Sequence, residues 1–254
     1  MMHPKTEDFF IPQNTVTRLS EEEAAQSLNF LQVIKAVENT TYQSMYVIDY
    51  LKKGFDYVSD NRLFLCGHTP EEFVAMGYDF YMKHVPQEDL ELLLKINEAG
   101  FKFYEKTPLE ERRHYSITYD FHLIMGDNRK VLVNHKYTPL FLTNEGQIWK
   151  ALCLFSLSNK SSAGNVQIQR QGSNMIWVYN EAEDGWESRE KVCLTSRETE
   201  ILVFASQGLS VSEIAAKMCV TSDTVKFHHK NLFEKLEVVN ISQAVAVATS
   251  YKLV

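Results

Sequence analysis

The chain has 254 residues, of which 44% are hydrophobic and 23% are charged, a composition typical of folded globular proteins with one or two domains. Ten glycines and six prolines are too few for a fibrous or disordered chain, and no stretch reaches the ~18 to 20 apolar residues that span a bilayer. The net charge of −7 argues at first sight against a nucleic-acid-binding protein, because such domains usually carry a basic surface.

The cysteines predict neither a disulfide framework nor a zinc site, because they are scattered and contain no Cys-x-x-Cys pair. They are Cys66, Cys153, Cys193 and Cys219. We expect isolated, buried thiols in a reducing compartment. The amino terminus has no apolar run behind a basic cap, so it does not resemble a signal peptide, and we expect a cytoplasmic protein with no membrane contact.

Residues 1–43 are interpreted as an amino-terminal arm followed by a flanking helix. Residues 1–19 contain two prolines and no hydrophobic period, which predicts a loose arm. Ser20 and Glu23 form a capping box, which predicts the start of an amphipathic helix over about 21–38. Its apolar positions are Leu28, Phe30, Leu31, Ile34 and Val37. The helix either packs on its own domain, the safer interpretation, or pairs with its copy in a dimer.

Residues 44–158 have the pattern of a mixed domain with five strands. Two short strands come first, a complete helix start with a first-turn proline follows at Thr69, and a second helix covers about 88–99. Three further strands are joined by tight turns, and the first of them alternates strictly between apolar and polar residues. The predicted strands cover 45–50, 55–58, 116–125, 131–142 and 148–157.

This order of elements resembles a PAS sensory domain. The matching residues are Phe55–Ser59, the helix start at 69–73 and the stretch His84–Leu90. The resemblance implies an α+β fold with a five-stranded antiparallel sheet and flanking helices, dimerisation through those helices and, in some members, a small-molecule ligand. An empty domain that serves as a dimer or protein-contact module remains an alternative.

No cofactor is identified for this domain, and flavin and haem are disfavoured. The stretch 61–66 differs in order and spacing from the flavin photoreceptor cysteine motif. His114, His122 and His135 lie near the predicted sheet, where histidines are usually structural or exposed. No aspartate-rich phosphoacceptor pocket is visible, which argues against control by phosphorylation.

Residues 159–191 are rich in small polar residues and are interpreted as a linker, with room for one extra strand at 175–179. Residues 192–254 predict an all-α domain of four short helices. Capping boxes at Thr195 and Ser210 start the first two helices, and Thr221 is the natural N-cap of a third that reaches about Leu236. The second and third helices, separated by three or four residues, predict a helix-turn-helix.

The carboxy-terminal pattern closely resembles the LuxR-type DNA-binding domain, the output half of many bacterial transcription regulators. The matching runs are 194–202, 208–215, 221–228 and Lys235-Leu236. Two positions depart from the family: Glu237 stands where a turn glycine is usual, and Ile241 stands where an arginine is common.

The third helix of this domain carries the candidate DNA-binding residues. Val225, Leu232 and Leu236 have inward spacing, whereas Lys226, Phe227 and Lys230 cluster on the outward face. The resemblance puts the base-facing positions of the family on these three outward residues. Thr221, Thr224 and Lys217 are candidates for phosphate contacts, and His228 for a hydrogen-bonded core histidine. A merely solvated charged face is the other interpretation of the lysines.

These features together predict a one-component, sequence-specific transcriptional regulator that senses or dimerises through its PAS-like domain. Its expected partners are double-stranded DNA, a second copy of the chain and, as an open option, a small ligand. The alternative is a sensor that acts through protein contacts with a degenerate helix-turn-helix. An enzyme is not expected, since no nucleophilic triad, metal cluster or phosphate-binding glycine loop is visible. Residues 195–254 have zero net charge, so the acidity belongs to the amino-terminal part.

Overall fold

The computed structural model describes residues 4–251 and residue 253, which form two compact units that divide between Arg189 and Glu190. Each unit has its own hydrophobic core. No helix within the described ranges is long and apolar enough to cross a bilayer.

The amino-terminal unit is built on one antiparallel sheet. Its strands are β1 (Ser44–Asp49), β2 (Gly54–Val58), β3 (Tyr115–Ile124), β4 (Lys130–Leu142), β5 (Ile148–Leu157), β6 (Gly164–Arg170), β7 (Met175–Asn180) and β8 (Gly185–Glu190). Their order across the sheet is β2-β1-β5-β4-β3-β6-β7-β8. The predicted α+β class and antiparallel sheet are confirmed, but the sheet has eight strands instead of five.

The extra strands lie where the sequence predicted a linker. Residues 159–191 contain β6, β7 and β8, and β6 pairs with β3 so that Tyr115 faces Arg170. Only Val166 and Ile168 of β6 are buried, and two alternating apolar residues are too few to reveal a strand. The extra strand that the sequence allowed at 175–179 is present as β7. The linker interpretation is wrong for β6 and β8, and β6 forms because it pairs with the uncovered edge of β3 although its own pattern is weak.

The amino-terminal arm is packed and not loose over its described part, residues 4–19. It contains two short 3₁₀ turns, Thr6–Phe9 and Pro12–Asn14, and Phe9 and Val16 belong to the core. The amide Nδ2 of the fully buried Asn14 donates to the carbonyl of Phe9 at 2.9 Å. Residues 1–3 of the predicted arm lie outside the described residues.

The predicted helix 21–38 is two helices, α1 (Glu21–Ala25) and α2 (Phe30–Glu38). The capping box is confirmed, since Ser20 accepts from the amide of Glu23, whose carboxylate also accepts from the amide of Asn144 at 2.7 Å. This contact fixes α1 to the β4–β5 turn. Of the predicted apolar stripe Ile34 is buried, whereas Leu28 and Val37 are exposed.

The remaining helices of this unit lie between β2 and β3. They are α3 (Arg62–Leu65), α4 (Pro70–Met76), α5 (Asp79–His84) and α6 (Gln87–Glu105). Their aromatic side chains pack on one face of the sheet, where the ring of Phe64 stacks on Phe155 with centroids 3.9 Å apart. The ring of Phe30 in α2 instead meets Phe141 at 5.5 Å.

The carboxy-terminal unit contains the four predicted helices, α7 (Ser196–Ser206), α8 (Val211–Lys217), α9 (Ser222–Leu236) and α10 (Ile241–Ser250). Both capping boxes form, at Thr195 with Glu198 and at Ser210 with Glu213. The helices share one core, so four short elements that bury little alone become a single unit.

The expectation of buried cysteines holds for Cys66 and Cys153 only, since Cys193 and Cys219 are exposed.

Candidate nucleic-acid interface and ligand cavity

Helix α9 presents three of the predicted residues on one exposed surface. Val225, Leu232 and Leu236 are buried in the core of the unit, as the helical repeat requires. Lys226, Phe227 and Lys230 are exposed, and 60% of the Phe227 side chain is accessible to solvent. An aromatic ring between two cations therefore lies on a helix face with no neighbour from its own core.

The turn before α9 places two threonines at the start of this helix. The hydroxyl of Thr221 accepts from the amide of Thr224 at 3.2 Å and lies 2.9 Å from the Thr224 hydroxyl. Cys219 adopts the left-handed conformation with φ of 54°, which turns the chain between α8 and α9. The two hydroxyls thus lie at the positive end of the helix dipole, where anions are favoured.

Lys217 is held by α7. Its ammonium group lies 5.4 Å from the centre of the Phe204 ring, a cation–π contact. The other five predicted residues belong to α9 or to its N-cap. The structure therefore places five of the six candidates on one helix or at its N-cap, and it places Lys217 at the end of α8.

Lys226 and Lys230, the two predicted lysines of α9, have acidic neighbours. Nζ of Lys226 is 3.1 Å from Oδ1 of Asp223, and Nζ of Lys230 is 3.9 Å from Oε1 of Glu234. Exposed pairs of this kind contribute roughly 0 to 1 kcal/mol to stability, so they are readily exchanged for other partners. The sequence reasoning missed Asp223, although an acidic residue three positions before Lys226 was the available signal.

An ion pair fixes α9 against α7. Nζ of Lys235 donates to the carboxylate of buried Glu198 at 2.8 Å. Burial alone would raise the pKa of Glu198, but the hydrogen bonds from Lys235 and from Thr195 outweigh it, so this pKa lies below its usual value. The glutamate that closes the capping box of α7 and the end of α9 are thereby joined.

The two histidines of α9 differ from expectation. His228 is half-buried, with its ring 5.7 Å from that of Phe227, so its assignment to the core is wrong. The more enclosed group is Nε2 of His229, which is buried without a hydrogen-bond partner. Burial lowers the pKa of His229, which keeps the imidazole neutral at neutral pH.

The departures from the family pattern leave the α9–α10 junction intact. Glu237 takes the left-handed conformation, with φ of 55° and ψ of 47°, that a glycine would adopt. Asn240 caps α10 by accepting from the amide of Gln243 at 2.9 Å. The turn therefore has the required geometry at the cost of backbone strain in Glu237.

The amino-terminal unit contains a partly open cavity of about 90 Å³ among the helices and the sheet. Tyrosines from several elements contribute to its wall, among them Tyr46, Tyr81 and Tyr104. None of the described side chains that line it carries a charge at neutral pH, since burial lowers the pKa of His135 to about 3. The cavity suits an uncharged molecule of a few non-hydrogen atoms.

Three polar atoms at this cavity have no hydrogen-bond partner among the described residues. They are the buried hydroxyls of Tyr104 and Tyr137 and the buried Nδ1 of His135. Nε2 of His135 lies 2.9 Å from the hydroxyl of Tyr46, which in turn lies 2.5 Å from that of Tyr81. One side of the imidazole is thus fixed by a hydrogen-bond network, and the other is free to bind a ligand. Within the described part of the chain, no three metal-binding side chains form a cluster.

The solved structures that match this chain include VqmA of Vibrio cholerae, whose structure report describes LuxR-type receptors. It is 18% identical, covers 86% of both chains and aligns with a TM-score of 0.35. A PAS domain of a protein from Colwellia psychrerythraea is 16% identical, covers 51% of this chain and 97% of that chain, and aligns with a TM-score of 0.37.

The carboxy-terminal unit matches the family described as bacterial regulatory proteins, luxR family, over residues 192–248. The transcriptional activator protein EsaR of Pantoea stewartii is 41% identical over 68 residues, 27% of either chain. The quorum-sensing regulator RhlR of Pseudomonas aeruginosa is 41% identical over 63 residues, 25% of this chain and 26% of RhlR. The chain thus spans about a quarter of the length of the curated relatives that it matches. Residues 192–248 are a helix-turn-helix domain of the LuxR family.

Proposed function

We propose that this chain is a cytoplasmic, sequence-specific transcriptional regulator that binds double-stranded DNA as a homodimer. The observation that carries the proposal is the exposed face of α9, with Lys226, Phe227 and Lys230, in a domain of the LuxR family. An α-helix fits the major groove, where lysine donates to guanine O6 or N7 and an apolar ring contacts the thymine methyl group. The proposal assigns the chain no catalytic activity.

The remaining candidates fit the contacts that orient a protein on the duplex. Thr221 and Thr224 lie at the start of α9, where hydroxyl and amide groups can donate to a phosphate oxygen. Lys217 would reach a phosphate from the end of α8. Two helix-turn-helix units of a dimer would then contact half-sites about one helical turn apart.

The neutral charge of the carboxy-terminal domain makes dimerisation important. Residues 195–254 have zero net charge, so the phosphate backbone attracts this unit only through its local lysines. Joining two units raises the effective concentration of the second without any new contact to DNA. We therefore expect weak non-specific binding and a strong dependence on the dimer.

Footprinting of genomic fragments with the full-length chain tests the proposal and supplies a target site. We expect Lys226→Ala and Lys230→Ala each to weaken binding to that site by about tenfold or more and to reduce the salt slope by about one, since each removes one cation from the interface. The matched control is Lys106→Ala, which removes an exposed lysine from the other unit and should change neither quantity. Absence of any protected sequence at moderate salt would refute the proposal.

The competing function, a protein-contact sensor with a degenerate helix-turn-helix, is less well supported. It rested on Glu237 and Ile241, yet Glu237 adopts the conformation that the turn needs and α10 begins with a capped turn at Ile241. Co-purification of a protein partner together with no DNA binding would favour it.

We further propose that the cavity in the amino-terminal unit is the sensory site of the regulator. Its size, its uncharged wall and the free polar atoms of Tyr104 and His135 favour a small neutral ligand that offers a hydrogen bond. Mass spectrometry of the protein purified under native conditions would reveal such a molecule.

A further inference from the structure

Asp223 lies in the first turn of α9, on the side of the helix that carries Lys226. Its Oδ1 is 3.1 Å from Nζ of Lys226, and 90% of its side chain is exposed. Residues three and four positions apart on a helix are neighbours, so Asp223, Lys226 and Lys230 form one line along the exposed face. A duplex bound to Lys226 must therefore also meet Asp223.

The fold does not depend on this carboxylate for the start of α9. The N-cap is Thr221, whose hydroxyl accepts from the amide of Thr224. Asp223 also lies outside the core residues that hold the four helices together. Its partner in the free protein, Lys226, is the same lysine that we place at the base edges.

A carboxylate on a surface that faces DNA is repelled by the phosphates unless a base donates to it. In the major groove the donors are the amino groups of cytosine N4 and adenine N6, and aspartate is matched to cytosine N4. Lysine is matched to the acceptors O6 and N7 of guanine. Asp223 and Lys226 together thus offer an acceptor and a donor to adjacent base edges.

We infer that Asp223 is a specificity-determining residue that accepts a hydrogen bond from cytosine N4 in each half-site. The inference rests on the proposed DNA-binding function and adds a residue to it. Asp223 lowers the affinity for sequences that lack the cytosine, because there its charge faces phosphates and acceptors without compensation. Lys226 supplies attraction, and Asp223 supplies discrimination.

Selection from a pool of duplexes with randomised positions, using the full-length chain at one salt concentration, tests this role. Wild type should select a half-site with a cytosine at one defined position. Asp223→Asn should lose that preference by about tenfold and turn towards adenine, because asparagine pairs with N6 and N7 of adenine. Asp223→Ala should lose the preference for cytosine without gaining one for adenine, and both variants should bind random DNA more tightly than wild type.

Glu200→Gln is the matched control, since Glu200 is an exposed acid on α7 that pairs with Arg197 at 2.9 Å. It removes the same charge away from α9 and should leave the selected site unchanged. If both Asp223 variants select the same site as wild type with the same preference, the inference is wrong while the proposed function stands. If wild type selects no sequence, the proposed function itself fails.

Discussion

At the scale of single residues, Glu237 departs from the family pattern and also has a strained backbone conformation. A residue other than glycine in the left-handed region lowers the stability of the fold by roughly 1 to 2 kcal/mol. Glycine avoids this strain, but its greater conformational entropy in the unfolded chain offsets part of the stabilisation. We expect Glu237→Gly to raise the free energy of unfolding of the carboxy-terminal unit by about 0.5 to 1 kcal/mol, because φ at this position is 55°. Urea denaturation followed by circular dichroism measures the change.

Glu234→Gly, three residues earlier, is the control for that substitution. It places glycine inside α9, where the backbone is helical, and should lower stability by about 1 kcal/mol. Equal or lower stability of Glu237→Gly relative to wild type would contradict the strain at Glu237. If the same replacement, glutamate by glycine, raises stability at one position and lowers it at the other, the backbone conformation at Glu237 is the cause.

At the scale of secondary-structure elements, α2 and the turn before it expose an apolar surface that the fold leaves uncovered. Val33 and Val37 are neighbours on one side of α2, with 62% and 45% of their side chains exposed, and Leu28 is 79% exposed. The sequence predicted a helix that either packs on its own domain or pairs with a copy. Ile34 packs on its own domain, and we expect the exposed valines to contact the second copy in the proposed homodimer.

Replacing both valines by lysine should convert the dimer into monomer and weaken binding to a two-half-site duplex. The physical reason is that two charges would have to be buried against the partner. Sedimentation equilibrium measures the first effect and an electrophoretic mobility shift the second. Gln32→Lys adds a charge to an exposed polar position of the same helix and should leave both unchanged. A double variant that remains dimeric would exclude this surface.

At the scale of the whole molecule, the two separate cores and the cavity in the amino-terminal unit predict two thermal transitions with different ligand responses. The three tryptophans, Trp149, Trp177 and Trp186, all belong to the amino-terminal unit, so their fluorescence reports its unfolding alone. We expect cyclohexanol, a neutral probe with one hydroxyl, to raise this transition because it binds the folded cavity only. At ten times its dissociation constant it should add about 1.4 kcal/mol, or roughly 3 to 6 °C.

Calorimetry should show the carboxy-terminal transition unmoved by the probe. Leu93→Phe, which adds a ring at the wall of the cavity, should abolish the shift of the first transition while preserving the fold. Equal shifts in Leu93→Phe and wild type would mean that cyclohexanol acts elsewhere. The net charge of −7 arises entirely outside residues 195–254, so it does not describe the charge of the helix-turn-helix unit.

The local features of this protein could be predicted from the amino-acid sequence alone. Capping boxes at Ser20, Thr195 and Ser210, the five strands of residues 44–158 and the helix-turn-helix all depend on neighbours within a few residues, so their signals are readable along the chain. The outward face of α9 follows from the helical repeat alone. These local signals were enough to predict a helix-turn-helix, and the resemblance of its motifs to a known family identified it as LuxR-type.

The features that depend on contacts between distant residues could be recognised only in the three-dimensional structure. Strand β6 forms because it pairs with the edge of β3, and β7 in turn pairs with β6, while the apolar alternation of β6 is too short to reveal a strand in the sequence. The break between α1 and α2, the packed arm around Asn14 and the free Nδ1 of His135 likewise depend on partners far away in the chain. A hydrophobic pattern predicts which side chains are buried, but only the packed molecule determines which residues they contact.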